Sequence, residues 1–165
     1  MSSDSQPGLS IHFRIATAAD RPRLISLINS AFSVETFIDG TRTDDEHLAA
    51  TMEKGSILLA EDSAGHLLAC VCTEVRGVRG YLGMLAVDPA RQGSGIGRAT
   101  TEAAEDHMRR QGCDAVDITV LSLRPELPPM YRRFGYVEVR TEEFQPSRPI
   151  KPGIECHCIV MSKRL

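Results

Sequence analysis

The sequence predicts a mixed α/β fold, one sheet of about six to seven strands covered by about four helices. Three observations predict it. Short segments with period-two or continuous apolar character alternate with segments of helical periodicity. Their order is one strand, two helices, three strands, a helix, a strand, a helix and two strands. A glycine-rich turn, Gln92-Gly93-Ser94-Gly95-Ile96-Gly97, stands where a strand hands over to the longest helix. The chain has 165 residues, 42% hydrophobic and 25% charged, an ordinary globular composition near the usual single-domain size.

Met1 to Gly8 is polar, with neither the basic start nor the apolar stretch of a secretory signal, and residues 1–10 are expected to form a disordered tail ahead of one domain spanning 11–165. Ile11 to Ile15 alternates as a first strand, with Thr17 or Asp20 as the following helix cap. Leu24, Leu27, Ile28, Ala31 and Phe32 recur at spacings that place them on one helix face. After an aperiodic stretch from Ser33 to Arg42, Thr43-Asp44-Asp45-Glu46 is a capping box for a second helix carrying Leu48, Ala49 and Met52. Ile57 to Glu61 and Leu67 to Val75 are strands joined by turn chemistry at Asp62-Ser63-Ala64-Gly65-His66, and a connection from Arg76 to Gly80 leads into a strand from Tyr81 to Val87. Asp88-Pro89 stops that strand, because proline removes a ladder donor. Ile96, Ala99, Ala103 and Met108 mark the helix after the glycine turn, capped near Gly112. Ala115 to Leu121 is a strand, Pro128 or Pro129 opens a short helix through Phe134, and Gly135 ends it. Tyr136 to Arg140 and Ile154 to Met161 close the sheet.

A net charge of -3 provides no broad cationic field for nucleic acid, so small-molecule partners are expected. Apolar runs such as Ile57 to Ala60 fall far short of the roughly 20 residues that span a bilayer, so no membrane partner is expected. Five cysteines, an odd count without CxxC spacing, point to a reducing, cytoplasmic setting. Cys70-Val71-Cys72 and Cys156-His157-Cys158 put cysteines two apart on one strand face, which suits a core better than a zinc site, and no metal is expected.

A glycine turn between a strand and a helix aims unpaired backbone N–H groups and a positive dipole end at one spot, which favours phosphate. Glycine allows both the turn and the close approach of a phosphate oxygen. The ATP-type loop GxxxxGK[ST] is excluded because no such lysine follows, and a dinucleotide fingerprint is excluded because Arg98 stands where a glycine is needed. Gln92, Gly95 and Gly97 instead fill the pattern [QR]-x-x-G-x-[GA], and the segment resembles the cofactor loop of the GNAT N-acetyltransferase family. Met84-Leu85-Ala86-Val87-Asp88-Pro89 resembles that family's fourth strand and its stop. Pro129-Met130-Tyr131-Arg132-Arg133-Phe134-Gly135-Tyr136 resembles its Tyr-x-x-x-Gly-[Phe/Tyr] segment.

The resemblance covers about Ile11 through Leu165 and implies a mostly antiparallel sheet, with acetyl-CoA as cofactor. It implies that backbone amides of Gln92, Gly93, Ser94, Gly95, Ile96, Gly97 and Arg98 cradle the pyrophosphate. The backbone of Leu85, Ala86 and Val87 would pair with the pantetheine arm as an added strand. The implied chemistry is direct attack of a neutral amine on the thioester, with a backbone N–H at the end of the fourth strand facing the developing oxyanion. Tyr131 matches the family's general acid, a phenol near ~10 able to protonate or hydrogen-bond a thiolate near ~8.5. Glu74 is the first candidate for a base, ahead of His157 and Glu126. The segment from Asp39 to Thr43 resembles the region that shapes the acceptor pocket; Arg42 there could bind a substrate carboxylate, although the segment also reads as an ordinary capped loop. The implied acceptor is a primary amine of a small molecule. A protein or peptide amine and a non-catalytic acyl-CoA-binding module are the alternatives. A homodimer is possible through the last two strands.

Overall fold

The computed structural model describes residues 9–146 and 148–165, so residues 1–8 of the tail expected at 1–10 lie outside the described residues. The strands are β1 (His12–Ile15), β2 (Ser56–Glu61), β3 (Leu67–Arg76), β4 (Arg79–Val87), β5 (Ala115–Leu121), β6 (Val137–Glu143) and β7 (His157–Arg164). The helices are α1 (Arg21–Ala31), α2 (Asp45–Lys54), α3 (Ile96–Arg110) and α4 (Leu127–Arg133). The seven strands form one sheet in the order β1-β2-β3-β4-β5-β7-β6, in which only the β4–β5 pair is parallel. Helices lie on both faces. Leu24, Ile28 and Leu48 of α1 and α2 pack with Ile57, Leu59, Cys70 and Ala86 on one side. Ala104 and Met108 of α3 pack with Leu58, Val71, Leu82, Val116 and Ile118 on the other.

Local chemistry accounts for the element ends. The first helix begins in steps: the Asp20 carboxylate accepts from Thr17 N–H at 2.8 Å and closes a 3-10 turn, after which Pro22 sits in the first turn of α1. Asp44, one residue past the Thr43 of the expected Thr43–Glu46 capping box, caps α2 by accepting from His47 N–H at 2.8 Å. Cys70 and Cys72 both lie in the α1–α2 side of the core, as their two-residue spacing predicts.

Three strands differ from the sequence reading by two residues or more at an end. β4 starts at Arg79 because the β3–β4 turn is only Gly77-Val78, with Gly77 at φ +67° and Arg76 paired to Arg79. The last strand starts at His157 rather than Ile154, since Pro146, Pro149 and Pro152 interrupt any ladder before it. It then runs past Met161, where Lys163 donates to the buried Glu105 carboxylate at 3.0 Å and to the Phe134 carbonyl at 2.9 Å. β6 continues to Glu143, fully exposed, so hydrophobic alternation has nothing to mark it. β7 also inserts between β5 and β6, which leaves β6 alone as that edge of the sheet.

One close approach tests the packing that seats β3. A Cβ at Gly55 would stand 2.1 Å from the Thr73 carbonyl oxygen, a backbone atom that cannot move without shifting the strand. Gly55→Ala is expected to lower stability by about 1–3 kcal/mol, seen as a lower urea midpoint with an unchanged slope.

Candidate active site

The site begins with a break in the sheet. β4 and β5 pair only from Arg79–Ala115 to Leu82–Ile118 and then diverge. Beyond that point β4 is hydrogen-bonded to β3 alone and β5 to β7 alone, so two backbone edges face each other across a gap. A bulge in β4 sits at the divergence: Cys72 pairs with Gly83 and Cys70 with Ala86, so Met84 and Leu85 together oppose Val71. Met84 adopts φ +50°, a left-handed conformation that costs a non-glycine residue of order 1 kcal/mol or more. The extra residue reverses the alternation, which puts Leu82 in the α3 side of the core and Ala86 in the α1–α2 side. Leu85 and Val87 therefore line the cleft on a bent, one-sided edge, whereas Ala86 between them is buried in the α1–α2 side of the core and does not line it.

At the far end of that edge the glycine turn enters α3. Gly93 and Gly95 take φ +82° and +84°, conformations open to glycine at little cost, and a Cβ on either would meet open space. Gly97 packs against β4, where a Cβ would touch a Val87 methyl at 3.4 Å. The helix starts without a side-chain cap, which leaves the first-turn N–H groups of Ile96, Gly97 and Arg98 free toward the cleft. Ile96 anchors the turn in the core, Gln92 donates its side-chain amide to the Val87 carbonyl at 3.4 Å, and Ser94 donates to the Arg91 carbonyl. Arg91, Arg98 and Arg133 add positive charge around the opening.

The cleft, about 1150 Å³, runs from this turn through the gap to the loops between α1 and α2. Tyr131 enters it from α4. Its ring packs edge-on against Phe134 and Tyr136, with centroids 5.9 and 5.8 Å away. Burial pushes its phenol up to about 12, so the hydroxyl stays protonated at any ordinary pH. Tyr136 is held in turn by donating its hydroxyl to Glu105 at 2.8 Å, which ties α4 to α3 and β7. Glu74 lines the same cleft from the other side of the sheet, where it pairs across the ladder with Tyr81. Arg76 donates to its carboxylate at 3.1 and 3.2 Å and holds its pKa below the ordinary glutamate value. Glu126 also reaches the cleft and is engaged by Arg124 at 2.5 Å; His157 is exposed and does not line it.

The sequence reading missed the feature that closes the end of the cleft away from the glycine turn. The connection between β6 and β7 crosses to the α1–α2 loop: Asp39 N–H donates to Pro149 at 2.8 Å, Lys151 N–H to Phe37 at 2.9 Å, and Ile38 bridges Ile150. This strap brings Phe144, Arg148 and Ile150 to a wall shared with Phe32, Phe37 and Ile38. Its prolines were visible in the sequence, but nothing in them names the loop they meet. Arg42, in the segment from Asp39 to Thr43, lines this part of the cleft.

Comparison with known proteins supplies the last observation. The model of the acetyltransferase (GNAT) family matches residues 22–136. The chain belongs to that family. The match takes in the β4 bulge, the glycine turn and Tyr131. Mycothiol acetyltransferase of Propionibacterium freudenreichii is 34% identical over 104 residues, which are 60% of this chain and 33% of that one. Glucosamine 6-phosphate N-acetyltransferase 1 of Oryza sativa is 34% identical over 101 residues, 56% of this chain and 59% of the relative. The chain thus spans about a third to three fifths of these relatives. Among solved structures, the ribosomal-protein-S18-alanine N-acetyltransferase of Escherichia coli superposes with a TM-score of 0.74 at 18% identity over 94% of both chains. The Salmonella typhimurium protein yncA with its cofactor acetyl-CoA gives 0.71 at 20% identity, also over 94% of both.

The family's cofactor fits what the residues provide. The turn leaves open space where any Cβ would intrude on a phosphate, the uncapped N–H groups face it, and the one-sided edge of β4 lacks a strand partner. A side chain at Gly95 would both strain the backbone at φ +84° and project into that space. Gly95→Val is expected to weaken acetyl-CoA binding at least about tenfold in equilibrium titration. Unchanged affinity would place the pyrophosphate elsewhere.

Proposed function

We propose that the protein transfers the acetyl group of acetyl-CoA to the primary amine of a small molecule, by direct attack with both substrates bound. The observation that carries this reading is one continuous cleft joining an uncapped helix start, an unpaired strand edge and a tyrosine hydroxyl. Bound acetyl-CoA supplies a thioester-activated acetyl group. Amides from Gln92 to Arg98 bind its pyrophosphate, and the edge formed by Leu85, Ala86 and Val87 orients its arm toward the gap. Backbone N–H groups at the Met84–Leu85 bulge meet the negative charge that develops on the carbonyl oxygen as the amine attacks.

As the C–N bond forms and the C–S bond breaks, Tyr131 faces the departing sulfur. Transfer of a proton from a phenol near 12 to a thiolate near ~8.5 runs uphill, so the hydroxyl acts mainly by hydrogen-bonding the sulfur; the proton the amine loses to solvent balances the one the thiolate then takes up. Glu74, kept ionised by Arg76, has too low a proton affinity to hold an amine's proton; it attracts the ammonium form, and the proton leaves directly to water. The strap over the acceptor end and the relatives named for small molecules favour a compact acceptor over a peptide.

Release of free CoA, followed with a panel of small amines and peptides, tests this reading. Tyr131→Phe is expected to lower kcat by about 10²–10³-fold, with acetyl-CoA affinity nearly unchanged. Wild-type kcat should show no loss from Tyr131 ionisation below about pH 10, because the raised phenol pKa keeps it protonated. Bound acetyl-CoA with no release from any amine would leave a binding module in place of an enzyme.

A further inference from the structure

The acceptor end holds one guanidinium that the fold does not neutralise. Arg124 is engaged by Glu35 and Glu126 at 2.5 Å each. Arg148 Nη2 lies 2.8 Å from Asp44 Oδ2, an ionic contact whose angles make no hydrogen bond, while its Nε donates to the Arg42 carbonyl at 3.2 Å. Arg42 makes no ion pair and no side-chain hydrogen bond among the described residues; its guanidinium carbon stands 5.3 Å from the centroid of the Phe32 ring. Stacking on Phe32 leaves its N–H fork facing the cleft.

A cation so placed is costly. Burial lowers the Arg42 pKa from its ordinary value, and the Glu35 charge that would offset this is already committed to Arg124. The planar, always-charged fork matches a carboxylate through two parallel hydrogen bonds. Arg42 also lies within electrostatic reach of Cys72 and Tyr81, on the side of the sheet where Glu74 pairs with Tyr81. The pocket thus offers an unpaired cation and, on the strand that carries Cys72, a carboxylate that stays ionised. Phe37, Ile38 and Ile150 supply apolar wall between them and the strap.

We propose that the acceptor is an amino-carboxylate, an amino acid or close relative, whose carboxylate is received by Arg42 while its amine points to the gap between β4 and β5. This rests on the acetyl-transfer reading and narrows its substrate class. Arg42 is a specificity residue that touches the part of the acceptor that does not react.

The test compares CoA release from amino acids and from their carboxamides, in wild type, Arg42→Gln and Arg42→Lys. Wild type is expected to prefer the acid over the matched amide by about 10- to 100-fold in kcat/KM. Arg42→Gln should bring that ratio close to one, and Arg42→Lys should recover part of it through charge without the fork. Melting temperature and acetyl-CoA affinity of each variant separate a folding defect from a lost contact. Amides used as well as acids, or neutral amines used better, would overturn the carboxylate site and leave acetyl transfer standing. If no amine releases CoA, thermal-shift titration with N-acetyl amino acids decides the matter: stabilisation of wild type but not of Arg42→Gln supports the site. Equal response, or none, overturns it.

Discussion

The site depends on the point at which β4 and β5 stop pairing. A parallel pair that ran the full length of both strands would bury every backbone group and leave no room for a ligand. Four pairs hold the strands together at one end, and the Met84–Leu85 bulge bends β4 away from the next strand. The energetic cost is a left-handed methionine and two strand edges without ladder partners. That cost is what creates a place for an extended arm to act as an added strand. The surrounding elements keep the gap from collapsing: α3 packs under β4, and the Glu105–Tyr136–Lys163 contacts tie α4 and β7 to α3.

Charge follows the same division. The helix start and nearby arginines face the end of the cleft suited to a pyrophosphate. The other end is charged more sparingly, since Glu35, Glu126 and Asp44 each meet an arginine. An apolar wall with few open charges selects through the groups left unmatched, because water has largely been removed from around them. Tyr131 lies where the two regions meet, and its burial makes it a lasting hydrogen-bond donor more than a ready acid.

Much of the fold was legible because its signals are local. β5, the strand on the far side of the gap, was bounded correctly by its own alternation, and the start of α2 was found from its local cap chemistry, although the capping side chain is Asp44 and not Thr43. The reading faltered where local pattern is weak. β6 is exposed along its whole length and so has no buried face to announce its extent. Within β4, the residues from Tyr81 to Val87 read as a plain apolar strand, and nothing in their hydrophobicity shows that Leu82 and Ala86 end on opposite sides of the sheet.

By itself the sequence determined the order of elements, the glycine turn before α3 and the presence of Tyr131 in its Tyr-x-x-x-Gly-Tyr segment, because backbone conformation at glycine and hydrophobic periodicity are properties of neighbouring residues. Only the tertiary structure decided that β4 bulges and parts from β5. It alone decided that the β6–β7 connection crosses onto the α1–α2 loop, and that, among the described residues, Arg42 is left without a partner while Arg124 and Arg148 find theirs. Those outcomes depend on which distant groups arrive at the same place, and no spacing along the chain encodes the distances between them.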